Sequence, residues 1–378
     1  MANNKEFKVK NGIEANTYQE DLGTIITSST SYDLANASYD SINKFIRSQE
    51  ASPLGLFFRS DGLKLYIVGA HGDEVNEYDL STAWDITTAS ALQLKSISDD
   101  SNPSGIFFKS DGTKMYICGY TNDNVYEYNL STAWDISTVG SVSHTLDVSS
   151  VDNIPIGLFF KPDGSKMYIT GDQHDKIHEY NLSTDWDLST ASYSQSSPSI
   201  YQSSRQLFFT PDGLKVFLPD TPNDNITEYS LSTAWDVSTL SQVRQFNVSS
   251  QEANPSGLFF KSDGSKMYIV GTTNDRIYQY STSVALKTLD LSTGSVFQLT
   301  PSANFKLVLD YPAASGIVCQ ATLLLGGHSN TINYNSNIQF SGGAAPLNPS
   351  TNETDVLVFS TRNGGTTYQA SLAIDGAK

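Results

Sequence analysis

Cysteine is nearly absent from this chain. Cys118 and Cys319 are the two present in 378 residues, in stretches of different character, so no disulfide framework is expected and each reads as a small buried apolar side chain. Positive charge is scarce as well: Lys and Arg total 23 against 40 Asp and Glu, a formal charge of −17. A chain so acidic has no basic face with which to displace counterions from phosphates, which argues against nucleic acid and anionic membranes as partners. Long apolar runs are missing. No segment reaches the roughly 18 consecutive apolar residues of a spanning helix, and the start has no apolar signal core, so neither membrane insertion nor Sec-type export is expected. The 3.6-residue helical period is also missing, and short alternating runs stand between turns rich in Ser, Thr, Asn and Gly.

What is present is repetition. The phrase Pro255-Ser256-Gly257-Leu258-Phe259-Phe260-Lys261-Ser262-Asp263-Gly264-Ser265-Lys266-Met267-Tyr268-Ile269 has earlier copies beginning at Pro53, Pro103, Pro155 and Ser203. Its Asp-Gly pairs fall at Asp61, Asp111, Asp163, Asp212 and Asp263, at intervals of 50, 52, 49 and 51 residues, the spacing of a propeller, solenoid or array. Within a copy, an apolar run, an Asp-Gly turn, a second strand, a turn and an alternating third strand follow in order. The phrase Leu-Ser-Thr-Ala-Trp-Asp and a fourth alternating run complete the unit. Four antiparallel strands without a helix are the content of a propeller blade.

The organisation follows from where the repeat starts and stops. Residues 1–28 read as an N-terminal arm. Ser29–Leu34 matches the Trp-Asp element with Tyr32 in place of tryptophan, and Ser41–Arg47 matches a fourth strand; the fifth copy stops near Ser283, after its third strand. The two fragments complete one blade, which predicts an all-β fold: a five-bladed β-propeller over 29–283, closed by an N-terminal strand so that no sheet edge is left open. Residues 284–294 read as a linker or bridging strand. Residues 295–378, with six to eight short strands and almost no charge, read as a C-terminal β-sandwich or jelly roll.

Most recurring residues have a packing explanation. Trp84, Trp134, Trp186 and Trp235, with Tyr32 in the fifth copy, hold one repeat position and are expected as wedges between blades, because binding sites usually break symmetry. Tyr78, Tyr128, Tyr180, Tyr229 and Tyr280 are read the same way. Glu77, Glu127, Glu179 and Glu228, with Gln279, face Lys64, Lys114, Lys166, Lys215 and Lys266 as candidate cross-strand pairs. Asp73, Asp123, Asp175, Asp224 and Asp275 suit turns better than calcium, which takes several oxygens at defined spacing. The fourth copy departs most, with Arg205-Gln206 before Leu207 and with Pro219 and Pro222 around its second turn; a contact site is expected there if anywhere.

Chemistry is hard to find. The Gly-x-Ser-x-Gly elbow, phosphate loop and His-Glu-x-x-His are all missing. His71, His144, His174, His178 and His328 share no repeat position, and the four-residue spacing of His174 and His178 does not bring them together across a turn as it would on a helix. The sequence therefore predicts no catalytic residue, no cofactor and no metal site, and the chain is not expected to be an enzyme.

Asn4–Ile13 (Asn-Lys-Glu-Phe-Lys-Val-Lys-Asn-Gly-Ile) resembles the opening of many virion structural proteins of tailed bacteriophages, especially those of marine cyanobacteria. The phrases Phe259–Ile269 and Tyr128–Asp135 are similar to propeller repeats of phage tail and appendage proteins. The segments around Gly326–Ser329 and Arg362–Gly365 resemble the sandwich endings of fibre-type proteins. The resemblance implies a structural role in a tail fibre, tail-associated or capsid-surface protein. It also implies assembly in the host cytoplasm, and as partners copies of the chain, other virion proteins and a host surface glycan or protein. The alternative is a carbohydrate- or protein-binding propeller lectin outside any virion.

Overall fold

The computed structural model of the chain describes residues 5–8, 14–18, 22–200, 205–302, 304–312, 314–341, 343–346, 348–350 and 352–377. It separates into two compact units, one of residues 31–283 and one of residues 1–30 with 284–378. Residues 1–4, 9–13 and 19–21 of the expected arm, and Ser203 and Ser204 of the fourth copy, lie outside the described residues.

The first unit is a five-bladed β-propeller of four-stranded antiparallel sheets. Blade one runs Pro53–Phe58, Lys64–Gly69, Glu74–Leu80 and Ala89–Ser96. Each first hairpin turns through the Asp-Gly pair, whose glycines sit at φ between 67° and 79°, a region glycine enters without steric cost. The aspartate locks the turn from the side: Asp61 Oδ1 accepts from Leu63 N at 3.0 Å. After the third strand, the Trp-Asp element makes a tight corner. Asp85 caps a short 3-10 turn, Ile86–Thr88, by accepting from Thr87 N, and the chain then enters the fourth strand.

Blade five takes its first three strands from Pro255–Phe260, Lys266–Gly271 and Arg276–Ser281. Its third strand pairs antiparallel with Ser38–Phe45, from Arg276 opposite Phe45 to Ser281 opposite Ser38, with a shift of register between Gln279 and Tyr280. Blade four has a first strand of two residues, Phe208–Phe209. Pro219, on the second strand of that blade, faces no ladder partner on that side, so its missing N–H costs no hydrogen bond.

The second unit holds two larger sheets. One orders Ile332–Tyr334, Phe305–Asp310, Ala285–Asp290 and Ile25–Ser29; the other orders Val296–Leu299, Cys319–Gly326, Thr354–Thr361, Tyr368–Ala377 and Ile338–Phe340. Leu289, Phe305 and Leu307 of the first and Phe297, Leu323, Leu357 and Phe359 of the second share one apolar cluster. One stretch differs from expectation. Residues 284–294 hold the bridging strand of the two readings, Ala285–Asp290, but it pairs with Ile25–Ser29 from the stretch read as an arm. Alternation too short to read as a core by itself becomes a paired, largely exposed strand once a partner segment is found. Cys118 is buried and Cys319 half-buried, both free and in different units.

Candidate functional site

The first phenylalanine of each Phe-Phe pair reaches its counterparts in both neighbouring blades. Phe57, Phe107, Phe159, Phe208 and Phe259 form a closed ring of edge-to-face contacts with centroids 5.2–5.8 Å apart, a geometry in which the positive ring edge meets the negative face. Outside each phenylalanine a wedge aromatic stacks at 6.2–6.5 Å: Trp134 on Phe57, Trp186 on Phe107, Trp235 on Phe159, Tyr32 on Phe208 and Trp84 on Phe259. The five phenylalanines, with Tyr32, Trp84, Trp134 and Trp186, line a cavity of about 250 Å³ whose few polar side chains include Ser60, Ser110 and Ser262. It suits an apolar group.

The tryptophans are wedges, as their symmetry predicts. All four, and Tyr32, sit at φ between 51° and 67°, which is costly for a bulky side chain. Offsetting contacts recur with it. Trp84 N donates to Gly62 O at 2.9 Å, and the indole lies where any Cβ on Gly62 would fall, 2.4 Å from it. The second-strand tyrosine of the preceding blade donates to the tryptophan carbonyl: Tyr66 to Trp134 at 2.6 Å, Tyr116 to Trp186 at 2.6 Å, Tyr168 to Trp235 at 2.8 Å and Tyr268 to Trp84 at 2.7 Å. Blade four has Phe217 in this place and lacks the bond. The third-strand tyrosines, Tyr78, Tyr128, Tyr180, Tyr229 and Tyr280, are all buried.

The charged pairs also join blades. Lys64, Lys114, Lys166 and Lys215 each bind the glutamate of their own blade, Glu77, Glu127, Glu179 and Glu228. The far oxygens of Glu77 and Glu127 accept from Ile136 N and Leu188 N of the next blade, at 3.2 and 2.9 Å. Where blade five has Gln279, the carboxylate moves to the adjacent strand: Asp40 accepts from Gln279 at 2.8 Å and from Lys266 at 2.6 Å. Burial opposes ionisation of Asp40, yet those bonds and one from Ser281 hold its pKa below the usual value. The turn acids Asp73, Asp123, Asp175, Asp224 and Asp275 lie at φ 47–56°, as left-handed turn residues.

A set of carboxylates that sequence reasoning missed lies three residues before each first-strand proline: Glu50, Asp100, Asp152 and Glu252, all fully buried. Asp100 accepts from the amides of Asn102, Thr121 and Asn122, and Glu252 from those of Asn254, Thr273 and Asn274. Each ties the inter-blade loop to the turn before the third strand. The opposing residue is glycine (Gly69, Gly119, Gly171 and Gly271), because a Cβ there would meet the acid within 2.5 Å. Blade four differs: buried Asp220 stands in the glycine's place, and Ile200 takes the position of Ile97, Val148 and Val248, its N–H donating to Asp175 O at 2.8 Å. The acid at a fixed offset from the proline was the available signal.

Part of blade four's departing stretch is a plug, and the expected separation of two histidines needs correction. Gln206 is 3% exposed and stands where the other blades have glycine; its Oε1 accepts from Leu56 N and Leu258 N at 3.0 and 3.1 Å, and its Nε2 donates to Leu56 O. It binds blades one and five from blade four. His174 and His178 are also brought together. The turn through left-handed Asp175 sets their rings 6.3 Å apart, with His174 Nδ1 and His178 Nε2 at 3.8 and 4.0 Å from Asp152 Oδ2. A tight turn followed by a strand achieves what the helix rule forbade.

No protein-family model matches the chain, and no curated protein matches it. Solved structures match it only at low similarity. A putative 6-phosphogluconolactonase from Bacteroides uniformis is 15% identical with a TM-score of 0.40, over 60% of this chain and 66% of that one. The Pseudomonas aeruginosa periplasmic gluconolactonase PpgL is 14% identical at 0.38, over 61% and 66%. The β-propeller domain of Cps50 (Swd1) from Myceliophteria thermophila is 12% identical at 0.38, over 61% and 83%. This chain thus spans about two thirds of the length of the lactonase-type structures it matches. Likeness at this level carries no argument about activity.

Proposed function

We propose that the protein is a structural subunit of a tailed-phage virion, in a tail fibre or surface appendage. In this reading a five-bladed propeller closed by its N-terminal strand and a C-terminal β-sandwich assemble with copies of the chain and other virion proteins, contact with the host surface being a second role. The observation that carries it is the fate of the recurring side chains. Tryptophans, tyrosines, lysines and carboxylates are occupied in joining one blade to the next, which makes a rigid ring with little left for a reaction. The resemblance of Asn4–Ile13 and of the blade phrases to phage structural proteins supplies the virion. No catalytic step belongs to this reading. The aromatic cavity favours it over the lectin alternative, because a sugar needs several converging polar groups and the lining is almost wholly phenylalanine, tryptophan and proline.

Light scattering on the untagged full chain tests the proposal. A fixed oligomer, formed without ligand and unchanged by dilution, is expected. A monomer at all concentrations that binds glycans saturably on an array would overturn it in favour of the lectin.

A further inference from the structure

Blade three breaks the symmetry of the buried carboxylates in a way that exposes a vacant set of ligand atoms. In blade two the far oxygen of Asp100 accepts from Asn122 N at 3.1 Å, and Tyr126, whose hydroxyl lies 3.5 Å from it, also donates to Asp99 O at 2.8 Å. In blade five Asn274 N serves Glu252 Oε2 at 3.3 Å. Blade three has His174 and His178 where blades two and five have asparagine and tyrosine. There Asp152 Oδ2 has no hydrogen-bond partner, and neither has either nitrogen of His178, although Asp152 is fully buried and His178 is 4% exposed. Such groups are normally satisfied, and each exception needs a cause.

We propose that Asp152, His174 and His178 form a binding site for one divalent transition-metal ion of the zinc type. One ligand atom from each residue lies within 4.8 Å of the other two. Bonds of about 2.0–2.2 Å from each to a common ion require separations near 3.3 Å; rotation of half-exposed His174, at the tip of its turn, closes its 3.8 Å, and a shift of under about 1 Å between His178 and Asp152 closes their 4.0 Å. Two imidazoles and one carboxylate suit zinc, cobalt or nickel, and are too few and too nitrogen-rich for calcium. The exposed side of His174 leaves a further position open to water. No outer hydrogen bond orients His178, whose ring is flanked by Tyr193 at 6.2 Å; the missing support points to micromolar rather than nanomolar affinity.

A second cluster, Glu127, His144 and Asp187, is a weaker candidate because Lys114 already occupies Glu127 Oε1 at 2.7 Å. It serves as the control. The test is titration calorimetry with zinc on untagged, chelator-stripped full chain, beside the variants His174→Asn with His178→Tyr and, separately, His144→Ala. The double variant installs residues that blades two and five carry at these positions, so its fold is kept, and its melting temperature in chelator verifies this. Expected are one zinc per chain, binding weakened about 100-fold or more in the double variant, and no change in His144→Ala. Zinc should raise the melting temperature of the wild type alone, and cobalt should give a visible absorption band that the double variant lacks. Absence of zinc binding to the wild type, or equal binding by the double variant, overturns the proposal.

Discussion

The hydroxyl of a second-strand tyrosine is a small group with a consistent task. It carries a hydrogen bond from one blade to the backbone of the wedge in the next, beside an aromatic stack. Removing it from Tyr66 leaves the Trp134 carbonyl without that donor while the ring stays in place. Tyr66→Phe should therefore cost about 1 kcal/mol, read as a lower denaturant midpoint at unchanged slope. Blade four supplies the reverse case. Phe217 stacks 6.4 Å from Tyr32, and Phe217→Tyr should raise the midpoint by restoring the missing bond. A fall instead would mean that the slot beside Tyr32 has no room for the oxygen. The wedge role of the tryptophans was legible in the sequence because symmetry announces packing. The phenylalanine ring was not, although Phe57, Phe107, Phe159, Phe208 and Phe259 recur as regularly. Neighbouring residues on a strand point to opposite faces, and a Phe-Phe pair does not say which member meets its own copies.

At the scale of the element, the Asp-Gly hairpin and the wedge form one device. Gly164 lies at φ 79° with the Trp186 indole 2.3 Å from where a Cβ would be. Gly164→Ala combines a left-handed backbone penalty with overpacking, for a loss of about 2–4 kcal/mol. Thermal melting checks it, and a loss no greater than for an exposed-strand alanine would show that the wedge yields. The inter-blade loop adds a dependence on pH. Burial pushes the Glu50 carboxyl up to about 7, against the amides of Ser52 and His71 that lower it, and its Oε2 has no partner. The folded protein thus holds a proton that the unfolded chain releases near 4.5, so this group's stabilisation is full below pH 4.5 and fades as pH rises to 7. Glu50→Gln should gain on the wild type as pH moves from 5 to 7.5, measured as the difference in melting temperature. A constant difference would place the charge elsewhere. The fixed offset of this acid and of Asp152 from the first-strand proline was legible, but what the acid binds was not, because a loop residue does not announce that a turn some twenty residues later folds over it. The histidine pair failed for a related reason: the four-residue rule was applied for a helix, and the chain between His174 and His178 turns back.

At the scale of the whole molecule, the repeat period and the split fifth blade were legible because each blade is a local unit and the chain announces its boundaries with Asp-Gly and Trp-Asp. The pairing of Ile25–Ser29 with Ala285–Asp290 was not, since it joins a stretch read as an arm to one read as a linker or bridging strand. The pairing of Ser38–Phe45 with Arg276–Ser281 joins segments more than two hundred residues apart, and Asp40 anchors it through Lys266, Gln279 and Ser281. If that strand completes the ring, residues 31–283 expressed alone should fold as a monomer with one cooperative transition. Residues 48–283 should not: the Arg276–Ser281 strand would become an open edge, with unpaired backbone groups that recruit other chains. They would also lack Tyr32, and with it the stack on Phe208 and the wedge over Gly264. Size-exclusion chromatography with light scattering, followed by thermal melting, separates the two. Aggregation or loss of cooperativity in the shorter chain, rescued by adding a peptide of residues 31–47, would assign closure to that strand. Equal behaviour of both chains would mean that four and three-quarter blades hold together by their phenylalanine ring alone.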